Sequence, residues 1–212
     1  MINFQNKKIL VLAPHTDDGE LGCGGTIAKM LDEGAEVFYI AFSTAEQSLP
    51  LGFAPGTLRK EVEKATGKLG IKPENLIVFS YEVRKLNYVR QEILEELVKV
   101  KKSHRFDVVF MPSLHDIHQD HTTVANEGLR AFKTTSILGY ELIWNNLSFD
   151  TTCFIRLDEK HIQAKISSLQ EYHSQAGRDY TSEAFIRSLA CTRGIQIGAT
   201  YAEAFEVVRW II

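Results

Sequence analysis

Residues 8–33 read KILVLAPHTDDGELGCGGTIAKMLDE, an apolar strand-like run that leads through a polar turn into a helical pattern. Further β-rich runs and helical patterns alternate along the rest of the chain. The predicted strands span residues 8–14, 37–43, 76–81, 107–112, 137–142, 152–157 and 202–210, and the predicted helices span residues 24–33, 57–69, 89–103, 121–132 and 159–172. Such alternation is typical of a parallel sheet covered by helices on both faces. We therefore predict an α/β fold, a Rossmann-like three-layer sandwich with a mainly parallel sheet, formed by one domain over residues 1–212.

The composition of the chain narrows its environment and partners. A net charge of −3 over 212 residues gives no basic excess of the kind that nucleic-acid binding requires. No apolar stretch approaches the roughly 20 residues of a membrane span, and the N-terminus lacks the pattern of a secretory signal. The three cysteines (Cys23, Cys153 and Cys191) are odd in number and widely spaced, which argues against a disulfide framework. We expect a cytoplasmic protein with no nucleic-acid or membrane partner, and a homo-oligomer stays open.

Two clusters of imidazole and carboxylate side chains follow predicted strands. The sequence HTDDGE at 15–20 comes after the first strand, and HDIHQDH at 115–121 comes after the fourth. In open α/β sheets, ligands bind outside the carboxyl ends of the strands. A catalytic metal site needs a few nitrogen or oxygen ligands, an open position for water and a nearby base. We therefore predict that the two clusters converge on a metal ion.

These stretches resemble the PIG-L/LmbE family of de-N-acetylases. Residues 13–25 (APHTDDGELGCGG) are similar to the family signature A-H-P-D-D-x-x-x-G-C-G-G, and residues 115–121 are similar to its H-P-D-H element. Further family landmarks are matched in the expected order by residues 58–70, 172–175 and 201–206. The resemblance thus spans nearly the whole chain.

The chain departs from the family pattern at a few positions. Thr16 and Gln119 stand where the family usually has proline, and Gly19 stands where an acidic residue is common. The prolines shape loops, whereas the change at Gly19 removes a carboxylate that Glu20 would have to replace. Asp116 matches an acidic position often found before the H-P-D-H element.

The resemblance implies that His15, Asp18 and His121 are the metal ligands. Two imidazoles and one carboxylate leave room for water on zinc, and the same trio could hold ferrous iron. Zinc is favoured for hydrolysis because it lowers the pKa of a bound water to about 7. The resemblance also implies that Asp17 is the general base. The alternative for paired aspartates before a helix is N-capping.

His118 is expected to act on the developing oxyanion or the departing amine. Asp120 is expected to orient the ring of His118, in the manner of carboxylate–histidine pairs. The remaining histidines on predicted helices or their ends are expected at the surface: His104, His161 and His173.

Arg59 lies near the substrate if the resemblance holds, where a guanidinium could bind hydroxyl, carboxylate or phosphate oxygens. The alternative is a solvated helix charge. Arg84 and Arg90 lie in the loop after the third strand, which is a suitable place for substrate contacts. Since no family landmark covers that loop, the sequence favours ordinary surface charges there.

The glycines at 22, 24 and 25 do not form the G-x-G-x-x-G pattern of dinucleotide binding. They predict a tight turn with close packing of helix on strand.

The resemblance implies a zinc-dependent hydrolase that removes an N-acetyl group from an N-acetylglucosamine-like sugar or sugar conjugate. Two alternatives stay open: a metal-dependent hydrolase of another amide or ester, and a non-catalytic module that binds metal or sugar.

Overall fold

A seven-stranded sheet organises the protein, whose computed structural model describes residues 4–211. The strands are β1 Lys8–His15, β2 Glu36–Ser43, β3 Leu76–Val78, β4 Val108–Pro112, β5 Ser136–Tyr140, β6 Cys153–Leu157 and β7 Tyr201–Arg209. They lie in the order β3-β2-β1-β4-β5-β7-β6. Strands β1 to β5 pair in parallel, and β7 runs antiparallel to both β5 and β6. From β1, the chain first adds β2 and β3 on one side of the sheet and then β4 and β5 on the other. Ligands bind where the strand order reverses in this way, which is between β1 and β4.

Within residues 4–211, six α-helices cover this sheet. They are α1 Asp18–Asp32, α2 Thr57–Leu69, α3 Arg90–Ser103, α4 Gln119–Ala131, α5 Glu159–Leu169 and α6 Glu183–Ile195. The sequence pattern did not predict α6, because only Ile186, Ala190 and Gly194 of that helix are buried and its apolar stripe is narrow. None of the helices within residues 4–211 is long and apolar enough to cross a membrane.

The side chains of β1 alternate between two cores. Ile9, Val11 and Ala13 pack on one face of the sheet with α1, α2 and α5. Leu10 and Leu12 pack on the other face with α3 and α4. A strand that is buried on both faces reads as a continuous apolar run, as the sequence of β1 does. The predicted Rossmann-like three-layer arrangement with a mainly parallel sheet is confirmed.

The glycine-rich segment lies inside α1, which is interrupted there at Cys23. The helix begins at Asp18, not at residue 24. The close packing is present: a Cβ atom at Gly22 would lie 2.3 Å from the ring of Tyr140, and one at Gly25 would lie 2.6 Å from Leu157. These glycines therefore let α1 approach the sheet.

Cys23 interrupts α1, with φ −146° and ψ 24°. Side chains from later elements replace the lost backbone hydrogen bonds. The amides of Gly25 and Thr26 donate to the carboxylate of Glu203 at 3.1 and 2.7 Å. The ammonium of Lys165 donates to Glu203 and to the carbonyl of residue 21, both at 2.7 Å. Helix α5 and strand β7 thus hold α1 at its break.

His161 was expected at the surface, and this prediction was wrong. Its side chain is buried at the first turn of α5, where Nδ1 accepts from the backbone N–H of Asp158 at 3.0 Å. The side chain of Asp158 accepts in return, which makes a capping box.

Candidate active site

The ends of β1 and β4, which are neighbouring strands, bring three donor atoms together. Nδ1 of His15 lies 3.1 Å from Oδ2 of Asp18, and Nε2 of His121 lies 3.3 Å from the same oxygen. The two ring nitrogens are 3.3 Å apart. Tetrahedral zinc with bonds of about 2.0–2.2 Å places its ligands roughly 3.3 Å from one another. The predicted ligands therefore form a triangle of the size that a divalent metal requires.

A wider set of donors is available beside this triangle. One nitrogen from each of His15, His118 and His121 falls within a span of 4.8 Å. The set that includes Asp18 is tighter, and Asp18 is also fixed because Oδ2 accepts from the backbone N–H of His15 at 2.8 Å. The distances favour Asp18 as the third ligand.

Each imidazole of the triangle is held by a carboxylate on its other nitrogen. Nε2 of His15 lies 3.0 Å from Oδ2 of Asp120, and Nδ1 of His121 lies 2.7 Å from Oδ2 of Asp116. Such partners fix the ring orientation and the tautomer of metal-binding histidines. The sequence analysis gave Asp116 no role, although its acidic match before the H-P-D-H element was the signal.

The charges of this cluster shift the pKa values of its members. Burial alone would lower the pKa of His15, but Asp18 and Asp120 outweigh it and raise the value to about 9. The same opposition, with Asp18 and Asp116, raises the pKa of His121 to about 10. Burial would raise the pKa of Asp18, yet the two histidines hold it well below its ordinary value. The carboxylates therefore favour a positive charge at the position of the two imidazoles.

Asp120 was expected to orient the ring of His118, but its carboxylate holds the ring of His15 instead. The carboxylate of Asp120 contacts His15 and accepts from the backbone amides of Arg84 and Leu86 at 2.6 and 3.2 Å. Only the backbone N–H of Asp120 reaches His118, donating to Nδ1 at 3.2 Å. The side chain of His118 therefore caps the N-terminus of α4.

This cap decides the tautomer of His118. Burial, together with the nearby His121 and His15, lowers its pKa, so the ring is neutral at neutral pH. Since Nδ1 accepts a hydrogen bond, the proton of the neutral ring is on Nε2. His118 lines the same pocket as the triangle, and Nε2–H is the donor that its ring has available.

Asp17 precedes α1, but its side chain makes no capping hydrogen bond. It lines the pocket beside Asp18. Burial and then the charge of Asp18 raise its pKa to about 6. A carboxylate with that pKa is ionised at neutral pH and accepts a proton readily. The side chain is thus available for the role that the resemblance implied.

Loops far apart in sequence form the outer walls of the pocket. Trp144 follows β5, and its ring stacks on Tyr180 with centroids 4.3 Å apart and an interplanar angle of 20°. Arg84 and Arg178 line the pocket as well. The sequence analysis gave no role to Trp144, Tyr180 or Arg178.

The sequence of this protein matches a known protein family. The sequence model of the PIG-L family, described as GlcNAc-PI de-N-acetylase, matches residues 10–132, more than half of the chain. This protein belongs to the PIG-L family. The family resemblance predicted from the sequence is confirmed.

Individual relatives of this PIG-L family member span most of its length. It is 28% identical over 225 residues to diacetylchitobiose deacetylase of Thermococcus kodakarensis, which covers 95% of this chain and 83% of that protein. Its fold matches N,N'-diacetylchitobiose deacetylase from Pyrococcus horikoshii with a TM-score of 0.80 and 24% identity, covering 95% of this chain and 84% of that one. It also matches the zinc-inhibited form of teicoplanin deacetylase Orf2 with a TM-score of 0.78 and 15% identity, covering 94% and 97%.

The departure from the family signature at Gly19 has a steric reason. A Cβ atom at Gly19 would lie 2.4 Å from the ring of Tyr39, so no acidic side chain fits there. Glu20 does not replace it, because Glu20 is fully buried and accepts hydrogen bonds from the hydroxyls of Tyr39 and Tyr172. Burial raises the pKa of Glu20 to about 8.

The structure does not support the predicted substrate contact of Arg59. Its guanidinium donates to the carbonyl of Val78 at 3.0 Å, and Arg59 is not among the described residues that line the pocket. Leu58 lines the pocket instead. Successive helix residues point about 100° apart, so these two neighbours point in different directions.

Proposed function

We propose that this protein is a zinc-dependent hydrolase that removes an N-acetyl group from an N-acetylglucosamine-like sugar or sugar conjugate. The observation that carries the proposal is the triangle of His15, Asp18 and His121, whose donor atoms lie 3.1–3.3 Å apart. Beside it lies the carboxylate of Asp17, which makes no helix-capping hydrogen bond. Membership of the PIG-L family, and the names of its deacetylase relatives, supply the substrate class.

The residues of the pocket have complementary tasks in such a hydrolysis. A divalent metal, when bound, acidifies a water and polarises the amide carbonyl. Asp17 accepts the proton of the attacking water, and the Nε2–H of His118 donates to the carbonyl oxygen as negative charge develops there. The carbon–nitrogen bond then breaks, and the proton taken up by Asp17 is the one that the departing amine requires. Acetic acid and a free amine result, and the acetic acid then loses its remaining proton to the solvent.

Asp116 and Asp120 act indirectly in this scheme. Each holds one histidine ring of the triangle, and neither ring can turn away from the metal position without losing that hydrogen bond. Fixed donors of this kind avoid the cost of reorganising the site during the reaction.

A panel of N-acetylated substrates tests the proposed function. Metal-stripped protein is reloaded with one equivalent of zinc or ferrous iron. Released amine is measured for N-acetylglucosamine, N,N'-diacetylchitobiose and a simple N-acetyl amine, and released acetate is measured for an acetate ester. We expect amine release from the sugars with zinc and none without metal. Release from the simple amine or the ester alone would replace the sugar by another acyl substrate, and no release from any of them would exclude the hydrolase.

A further inference from the structure

One side chain of the active-site pocket has an acceptor atom without a partner. Gln175 lines the pocket, although only 6% of the residue is exposed. Its Nε2 donates to Oγ of Ser174 at 3.1 Å. Within residues 4–211, its carbonyl Oε1 accepts no hydrogen bond, and it is not one of the solvent-inaccessible atoms that lack a partner. Deeply buried polar groups are normally hydrogen-bonded, so this accessible oxygen points to a ligand in the pocket.

Glu61 of α2 holds Ser174 through both oxygens of its carboxylate. Oε1 accepts from the backbone N–H of Ser174 at 2.9 Å, and Oε2 accepts from the hydroxyl of the same residue at 2.5 Å. The side chain of Glu61 is buried, and no cationic side chain of the described part of the chain pairs with it. A buried carboxylate without a cation depends on its hydrogen bonds. The two bonds from Ser174 are therefore strongly constrained.

These bonds leave one arrangement of the protons. An ionised carboxylate only accepts hydrogen bonds, so the hydroxyl proton of Ser174 points to Glu61. The hydroxyl oxygen then has only lone pairs to offer Gln175, and the group that faces it must be the NH2 end of the amide. The carbonyl end is thereby turned away from Ser174. Glu61 thus decides that Gln175 presents an acceptor, not a donor, to the pocket.

The backbone that carries Gln175 is tied to the proposed metal-binding motif. The hydroxyl of Tyr172 lies 2.7 Å from the carbonyl oxygen of Thr16, which stands between His15 and Asp17. The ring of Tyr172 is buried, and the backbone N–H of Gln175 donates to the carbonyl of Tyr172 at 2.9 Å. The position of Gln175 is therefore fixed relative to the reacting groups.

We propose that Gln175 accepts a hydrogen bond from an O–H or N–H group of the substrate. Glu61 and Ser174 are then positioning residues, which turn the acceptor of Gln175 toward the substrate. This inference rests on the proposed function for the identity of the substrate, whereas the direction of the hydrogen bonds follows from their geometry alone. The hydroxyl groups of an amino sugar and the N–H of its acetamido group share the donor chemistry that Oε1 would bind.

Reversal of the hydrogen bonds tests the inference. In Glu61→Gln, the new NH2 group would donate to Ser174, whose proton would turn to Gln175 and draw Oε1 away from the substrate. We expect kcat/KM for N-acetylglucosamine to fall about tenfold in Glu61→Gln and in Gln175→Met, with metal content unchanged, since each loses one hydrogen bond to the substrate. Adding Gln175→Glu to Glu61→Gln should restore most of the loss, because a carboxylate presents an acceptor in either orientation. Glu159→Gln is the control, because that exposed carboxylate pairs with Arg187.

A second probe separates the two possible donors. N-acetylcyclohexylamine has the amide N–H and no hydroxyl. A loss in Gln175→Met that is confined to the sugar would identify a hydroxyl as the donor, and an equal loss with both probes would identify the amide N–H. The comparison uses kcat/KM, or the inhibition constant where a probe is not hydrolysed.

The outcomes separate this inference from the proposed function. Wild-type kcat/KM for the sugar in Gln175→Met would overturn it. A loss in Glu61→Gln that the second change does not restore would overturn the positioning role, because Glu61 would then only support the fold. If the wild type hydrolyses neither probe, the proposed function fails and calorimetric binding of N-acetylglucosamine decides. Weaker binding by Glu61→Gln and Gln175→Met that the double variant recovers would support the inference, and equal or no binding would overturn it.

Discussion

The carboxylate of Asp120 lies 3.0 Å from Nε2 of His15, on the side of the ring that faces away from the metal triangle. We predict that Asp120→Asn weakens zinc binding by about 10–100-fold, the usual effect of removing such a partner from a metal-binding histidine. The zinc dissociation constant, measured by competition with a chelator, checks this. Asp32→Asn is the control, because Asp32 lies at the exposed end of α1 and pairs with Lys160. Equal dissociation constants for wild type and Asp120→Asn would contradict the prediction.

Loss of any member of the triangle should lower the metal content of the purified protein. His15→Ala, Asp18→Ala and His121→Ala each remove one of three protein ligands. Elemental analysis measures the metal that remains, and His115→Ala serves as the control because that half-exposed histidine pairs with Glu206 instead. Full metal content in all three ligand variants would rule out this ligand set.

His118 offers a sharper distinction. We predict that His118→Ala keeps its metal but loses turnover, because the proposed partner of its Nε2–H is the transition state. The same elemental analysis, combined with kcat for amine release, measures both properties. Loss of metal would place His118 among the ligands, in the wider set of three histidines described above. Unchanged turnover would remove it from the mechanism.

The sequence predicted much of the site and little of its surroundings. The sequence places the proposed ligands close together because they lie within short motifs directly after β1 and β4, and the sheet brings these strand ends together. The contact of the Asp120 carboxylate with His15 could not be predicted from the sequence, because His118 turns its Nδ1 toward the start of α4 and away from that carboxylate. The walls of the pocket come from Arg84, Trp144 and Arg178, which no local pattern connects. Their placement depends on long-range packing of loops.

Asp17→Asn tests general-base catalysis. The amide is nearly isosteric, and no capping hydrogen bond is lost because the side chain of Asp17 makes none. An amide, however, cannot accept the proton of water. We expect metal content and melting temperature to stay near those of the wild type, while kcat falls by on the order of 10²–10⁴. Activity within a few-fold of the wild type, with metal present, would end the assignment of Asp17 as the base.

Glu20 should make stability depend on pH. Its carboxyl has an ordinary pKa of 4.5, and burial among the tyrosines raises the value to about 8 in the folded protein. Between these values the folded state keeps a proton that the unfolded state has lost, so stability falls as the pH rises. We predict that Glu20→Gln, which cannot lose that proton, becomes more stable relative to the wild type between pH 5 and pH 8. Urea unfolding of both proteins at the two pH values measures this, and a constant difference would show that Glu20 is ionised when folded.

The break in α1 makes the metal-binding motif depend on residues from the C-terminal part of the chain. Every proposed metal ligand precedes residue 122, and the match to the PIG-L family ends at residue 132. The helix that begins with Asp18 is nevertheless completed at its interruption by Lys165 and Glu203. A fragment that ends at residue 132 would contain every proposed ligand and still leave the amides of Gly25 and Thr26 without acceptors. The C-terminal third of the protein thus supplies the side chains that hold the proposed metal-binding motif in place. Insertions or truncations there would affect the active site although they remove no proposed ligand.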